Sequence, residues 1–455
     1  MSKDNESKQI SKIRLTHAEK QQLAQVMAQA KRPKHPQTAQ QTLPYRRMYP
    51  DGLCQVTEKT YSRTVRFHDI NYQQAQEDDR QAIFASWCGV LNTFPPDVHV
   101  QFSFMNTQIS EKDFEQSLVL PAQEDGFDAV REEFSSVLLH QVSKGNNALQ
   151  RSKYITFAVE AENPKAAKTH LEQIELQLLG KLKRLGVQAA SLDGQERLQL
   201  MHAMLHMDEP QTPFLFNWKW LPATGLSTRD FIAPSSLHFK DSRRFFIGRK
   251  MAAVSFLNIL ATELDDRVLV DFLSMDTTQI VTMHLQSIDH VEAIKLVKRK
   301  LSDLNRSKID EQKKAVRSGY DIDILPTEMN SYVDSLTELH KRLTSHTERL
   351  FLMTFTLMHT GDSRKALDAV IQQARGIGQE KLCQLVPLDY QQEEGMVSAL
   401  PLGLNRIEIQ RTMTTSETAV FMPFITQELF HRGAGALYYG LNVLSGNSSW
   451  ATARG

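Results

Sequence analysis

Two stretches far apart in this chain, YITFAVEAENPKAAKTHL from Tyr154 and LFLMTFTLMHTGDSRKAL from Leu350, carry the same succession of signals. Each is an apolar run suited to a buried strand, then a polar turn, then a capped helix. Each also sits in the same place within a longer series. In the first series, residues 53–69 alternate as strands, 78–91 repeat at helical spacing and 98–105 (VHVQFSFM) alternate again. Residues 127–142 are helical and 154–160 form a strand. Pro164 then opens a helix with Leu171, Ile174, Leu178 and Leu182 on one face, followed by a short strand over 187–191. The second series runs from a strand over 243–260 to a short helix at 267–273 and a strand over 279–285 (QIVTMHL). A helical hairpin over 288–317 and 327–344 follows, then a strand at 350–358, a helix at 363–375 and a strand at 382–387. Both halves read β-α-β, helical insert, β-α-β, the order of a split βαβ (ferredoxin-like) sandwich. The expected fold class is therefore α+β, with two tandem modules of this kind, each packing its own core.

The remaining segments set the boundaries. Residues 1–44 form a basic arm: the first 50 residues hold ten Lys/Arg against Asp4, Glu6 and Glu19. A capping-box pattern at Thr16–Glu19 predicts one helix to about residue 30. KRPKHPQTAQQTLP reads as linker, and folded structure is expected from Tyr45. The first module spans 45–210, a crossover 211–242 and the second module 243–390. The crossover is rich in aromatics, and Trp218 and Trp220 are its candidate partner-binding residues. The competing reading is an irregular crossover buried under the sheets.

Over the whole chain, 53 Lys/Arg balance 53 Asp/Glu, so no net field steers a charged partner. Three scattered cysteines fit a reducing compartment and exclude a cysteine-based zinc site. The N-terminus lacks the apolar core of a signal peptide, and no apolar run approaches the roughly 20 residues of a membrane span. No phosphate loop, dinucleotide fingerprint, H-E-x-x-H or G-x-S-x-G occurs, so no catalytic, cofactor or metal residues are assigned. His202 and His206 have a legal i, i+4 metal spacing. With no third ligand nearby in sequence, a core or interface helix accounts for them better. One helix stands out for charge. Between His290 and Arg317 it carries nine cations, with Ile294, Leu301, Leu304 and Ile309 marking its apolar side. Lys298, Arg299 and Lys313 are its candidate partner-binding residues. The ridge suits a protein partner or, as the alternative, nucleic acid, although it lacks the interleaved aromatics of a stacking platform.

Four longer segments carry a resemblance. RDFIAPSSLHFKDSRRF (229–245), LQSIDHVEAIKLVKRKLSDLNRSKIDEQKKAVRSGYDIDILP (285–326), LDYQQEEGMVSALPLGLNRIEIQRTMTTSETAVFMPFITQEL (388–429) and LYYGLNVLSGN (437–447) resemble the conjugation ATPase of type IV secretion systems, in the branch of integrative conjugative elements. The resemblance implies an N-terminal α/β region followed by a RecA-like motor, with ATP and Mg as the family's cofactors. It implies channel proteins and neighbouring subunits as partners, DNA contact as a further possibility, and no small-molecule substrate. It also implies a cytoplasmic location at the inner face of the cell membrane. The family's phosphate loop lies beyond the segment matching LYYGLNVLSGN, and SSWATARG is not its continuation. Residues 391–455 are accordingly expected to be the truncated beginning of the ATPase domain, unable alone to bind or hydrolyse ATP. Strand-forming runs at 418–424 and 436–444 are expected to lack their sheet, so that the stable core ends between 401 and 415.

Overall fold

The computed structural model of the chain describes residues 38–73, 75–108, 126–130, 132–133, 136, 149–207, 213–261, 264–317, 327–345, 347–424, 436–441 and 448–452. The expected helix over 16–30 lies outside these residues, as does most of that over 127–142.

The first half contains α1 (Ala39–Thr42), β1 (Arg47–Met48), β2 (Cys54–Gln55), β3 (Thr60–Phe67), α2 (Glu77–Leu91), β4 (Val98–Gln108), β5 (Leu149–Glu160), α3 (Pro164–Arg184), β6 (Ala189–Ser191) and α4 (Gly194–Leu205). The crossover supplies α5 (Trp220–Thr224), α6 (Thr228–Ile232) and β7 (Leu237–His238). The second half follows with β8 (Phe245–Ile247), β9 (Lys250–Ile259), α7 (Val268–Leu273), β10 (Gln279–Ser287), α8 (His290–Arg317), α9 (Thr327–Thr344), β11 (Leu350–Gly361), α10 (Arg364–Glu380) and β12 (Cys383–Pro387). Beyond these lie α11 (Gln392–Ala399), β13 (Arg411–Thr414), α12 (Thr415–Ala419) and a hairpin of β14 (Ala436–Leu441) and β15 (Ser448–Thr452).

The fold is mixed α/β, built on one large antiparallel sheet. Thirteen of the described strands belong to it, in the order β1-β2-β3-β5-β4-β10-β11-β9-β8-β7, with β6 on β3, β12 on β9 and β13 on β11. The expectation of two independently packed cores is overturned here. β4 and β10 pair along their length, from Asn106↔Gln279 to His99↔Gln286, and fuse the halves. The physical reason lies in those strands. Each alternates large apolar residues on one face, so side by side they set Phe104 opposite Val281, Phe102 opposite Met283 and Val100 opposite Leu285. Pairing also satisfies two rows of backbone groups that would otherwise form open edges. A single apolar cluster then runs through Phe157 and Leu171 of one half and Leu257 and Phe355 of the other.

That apolar face is covered by α2, α3, α7 and α10. α3 shows why it forms where it does: Asn163 caps it by accepting from Ala166 N–H, Pro164 fits its first turn, and Ala167, Leu171, Ile174, Leu178 and Leu182 are all buried. The opposite face is polar at its centre. One register row sets Thr64, Thr156, Gln101, His284 and Thr354 side by side across five strands, each buried.

Both ends of the folded region depart from expectation. Order begins before Tyr45: Thr38 caps a short helix inside the expected linker, and Leu43 is buried. At the other end, no strand forms over 418–424: residues 418–419 belong to α12, and 420–424 follow it without regular structure. Thr414 and Glu417 form a reciprocal capping box, and this local signal outweighs the β-branched composition of TTSETAV. The core does not end between 401 and 415 as expected, and residues 411–424 are built into it. β13 pairs with the start of β11, while Phe421, Met422 and Phe424 are fully buried, Phe424 edge-on to Trp87 at 5.4 Å. Lys153 of β5, buried itself, reaches Pro423 O at 2.5 Å and forms an ion pair with Asp69. Among the described residues no helix is long and apolar enough to cross a membrane.

Candidate functional site

The cation ridge predicted on α8 begins at Asp289, whose carboxylate accepts from the N–H groups of Val291 and Glu292 and so starts the helix. Ala293 and Val297 are buried on its apolar side, against Leu336, Leu339 and Leu343 of α9 and Leu350 of β11. The opposite side is fixed by the same periodicity. Lys295, Arg299, Arg306 and Lys313 stand at intervals of four, seven and seven residues, all exposed, in one stripe about 27 Å long at 1.5 Å per residue. Lys298 stands beside the stripe and lines a shallow groove between α8 and α9 with Leu301, Arg306, Ile309 and His340. Of the three predicted cations, Lys313 lies 4.0 Å from Asp310, at the limit of an ion pair, and Lys298 and Arg299 are exposed. Val291 and Ile309 put apolar surface beside the charges. The hairpin therefore presents a ridge of fixed charge on a packed base.

Trp218 and Trp220 belong to a different cluster. Trp218 is half-buried, edge-on to Phe216 at 4.9 Å, and its ring lies where a Cβ on Gly194 would stand, 2.7 Å away. It is part of the packing of α4 and α6 under the crossover, with Leu43, Tyr45, Met201 and Ile232. Trp220 is 43% exposed and its ring stands 6.2 Å from Phe231. The five predicted residues thus divide between two surfaces. At the C-terminal end of α4, His202 and the capping residue His206 stack ring on ring at 3.8 Å, and burial lowers the His202 pKa to about 4. The described residues bring no third metal-ligating side chain to them.

A further set of residues was not singled out by sequence. The segment from α11 to Gln410 forms a strap across the polar centre of the sheet and is held there by hydrogen bonds to both halves. Gln101 of β4 donates to Leu400 O at 2.9 Å and accepts from Gly403 N at 2.8 Å. His284 of β10 bonds Ser398 O at 2.8 Å, and Asn405 donates to Thr354 of β11 at 2.9 Å. Arg197 of α4, 1% exposed, donates to Gly52 O, Ser62 O and Pro401 O at 2.7–2.9 Å. Burial lowers the pKa of His284 to about 4, so it sits in the strap contact as the neutral imidazole. Beside the strap a cleft of about 650 Å³ is lined by His99, Glu160, His284, Glu394, Arg406 and Glu408. The signal for this set was the polar half of the alternation, His99, Gln101 and Ser103 against Thr282, His284 and Gln286. Without the strap, that pattern reads as a solvent face.

No protein-family model and no curated protein matches the sequence.

Proposed function

We propose that this chain is the non-catalytic docking region of a type IV secretion ATPase of the conjugative-transfer kind. It holds channel proteins and neighbouring subunits at the inner face of the cell membrane. The observation that carries the reading is the α8 ridge: four exposed cations in one stripe, backed by a packed helical hairpin on a continuous sheet. Charge fixed on rigid backing recognises a partner surface, whereas charge on a free arm mainly raises its local concentration. The segments resembling the family support the choice of partner, since two of them supply α8 and the strap. In this reading each half is a split βαβ (ferredoxin-like) unit. The orders β6-β3-β5-β4 and β12-β9-β11-β10 support it: in each the fourth, first, third and second strands stand side by side. The segment LYYGLNVLSGN, which supplies most of β14, is read as the start of the RecA-like motor, where ATP and Mg would belong.

The rival is a nucleic-acid module using the same helix. Reversing Lys298, Arg299 and Lys313 to Glu separates the two. A docking ridge leaves DNA affinity nearly unchanged. A phosphate-tracking ridge loses affinity steeply, with the salt dependence reduced in proportion to the charges removed. Tight, salt-dependent DNA binding abolished by the triple change would replace docking with the rival.

A further inference from the structure

Where α10 packs on β9 it leaves a cleft of about 270 Å³, a small pocket rather than an open stripe. Its floor includes Ser255, and its walls carry Arg243, Arg244 and Arg375 against one carboxylate, Asp368. The arginines come from different elements, two from the loop ahead of β8 and one from α10, so no single helix periodicity explains their convergence.

Most of this charge is committed. Asp389 holds Arg243 through Nε at 2.7 Å and Nη2 at 3.0 Å. Asp368 takes Arg244 at 2.6 Å and has Arg364 at 3.9 Å, and Asp241 lies 3.8 Å from Arg244. Two donors are left over. Arg244 Nε is buried and has no hydrogen-bond acceptor. Arg375, half-buried in the wall, has no carboxylate within ion-pair distance among the described residues. The Ser255 hydroxyl and the Gln372 carboxamide line the same space without hydrogen bonds to described residues.

An oxyanion here supplies the Arg375 guanidinium with the anionic partner that it lacks among the described residues. A guanidinium fork matches the oxygen spacing of phosphate and grips it through two parallel bonds. We infer that this cleft binds a phosphate group, gripped by the Arg375 fork and completed by the Ser255 hydroxyl and the Gln372 amide. Its volume admits a phosphate with a few attached carbons and falls below the usual range of sites that enclose a larger ligand. Phosphate in this cleft would tie α10 to β9, and the site is independent of the docking ridge.

Calorimetric titration of the full chain in chloride-free buffer tests this, first with inorganic phosphate and then with glycerol phosphate. Saturable binding at one site is expected, and Arg375→Gln is expected to weaken it about tenfold or more, the scale of a lost charge-assisted pair. Arg375→Lys keeps the charge without the fork and is expected to fall between the two. Tighter binding of glycerol phosphate assigns the ligand to phosphate monoesters, and equal or weaker binding assigns it to free phosphate. Because Arg375 holds no ion pair, its replacement leaves the fold's own contacts in place, which melting curves without phosphate check. No saturable binding to the parent chain overturns the assignment. So does unchanged affinity in Arg375→Gln and Arg375→Lys.

Discussion

Gln101→Leu is the sharpest probe of how the two halves are held together. The side chain is fully buried, and its two best hydrogen bonds reach Leu400 O and Gly403 N, both in the strap. Leucine fills a similar volume but leaves the Gly403 amide buried and unpaired, while Leu400 O keeps the bond it accepts from Leu402 N–H at 2.7 Å. The unpaired amide costs about 1–3 kcal/mol and the lost bond at Leu400 O about 1 kcal/mol more, a loss of roughly 2–4 kcal/mol. Longer contacts to Ser398 O, Ala399 O and Ser103, at 3.2–3.4 Å, add little, since hydrogen bonds weaken towards that length. Removing the amide's own desolvation returns roughly 1–2 kcal/mol, so the net cost is about 1–2 kcal/mol. The strap has a second route, however. It can lift from the sheet and let water satisfy the orphaned amide, so the loss is capped at the free energy of local opening. Hydrogen exchange separates these outcomes. The Gly403 amide should exchange roughly tenfold or more faster in the variant, the equivalent of about 1.4 kcal/mol, while amides in the middle of β11 change less. Urea unfolding should show a lowered midpoint. If Gly403 keeps its parental protection and the midpoint does not move, the strap is held by something other than these bonds.

Arg197→Met removes the donor to Gly52 O, Ser62 O and Pro401 O, and although it also relieves a buried charge it should cost about 3 kcal/mol or more, read from urea unfolding. A neutral result would mean that the buried guanidinium costs as much as its bonds return. His284 and His359 are fully buried, and desolvation lowers the pKa of each to about 4, below the roughly 6.5 of the unfolded chain. Because the unfolded state takes up these protons first, stability should be full above about pH 6.5 and fall progressively towards pH 4. Melting temperatures across that window check the sign, and His284→Gln should flatten the slope. Phe424→Ala deletes a fully buried ring that meets Trp87 and should cost about 3–5 kcal/mol. Limited proteolysis should leave residues 411–424 attached to the core, and early cleavage there would contradict their packing.

Local order was legible in this sequence where one signal dominated. Strand β5, the Asn163–Pro164 start of α3 and the α8–α9 hairpin all follow from periodicity and caps. The merger of the halves was not legible, because pairing between β4 and β10 is a long-range choice that neither strand encodes by itself. An apolar alternation serves equally for an edge covered by its own module and for an edge paired with another. The strap was hidden for a related reason. His99, Gln101 and His284 read as solvent-facing until a second segment supplies carbonyls to meet them. α12 could have been found, since Thr414 and Glu417 spell a capping box, but the β-branched residues around it drew the reading towards a strand. Among the candidate site residues, the α8 cations were legible from a single helix's spacing. Trp218 was not, because its half-burial depends on Gly194 in another element.

Docking through α8 is tested most directly by the binding of purified inner-membrane channel components to the immobilised chain, parent against the Lys298→Glu, Arg299→Glu, Lys313→Glu variant. The ridge is exposed and its packed face is untouched by these changes, so the variant should melt within a degree or two of the parent, surface substitutions usually costing under about 0.5 kcal/mol. Docking requires that the parent retain a channel component at physiological salt and that the variant lose most of that binding, with a slower on-rate as the first symptom. Equal retention by a normally folded variant would contradict the assignment of the ridge as the docking surface.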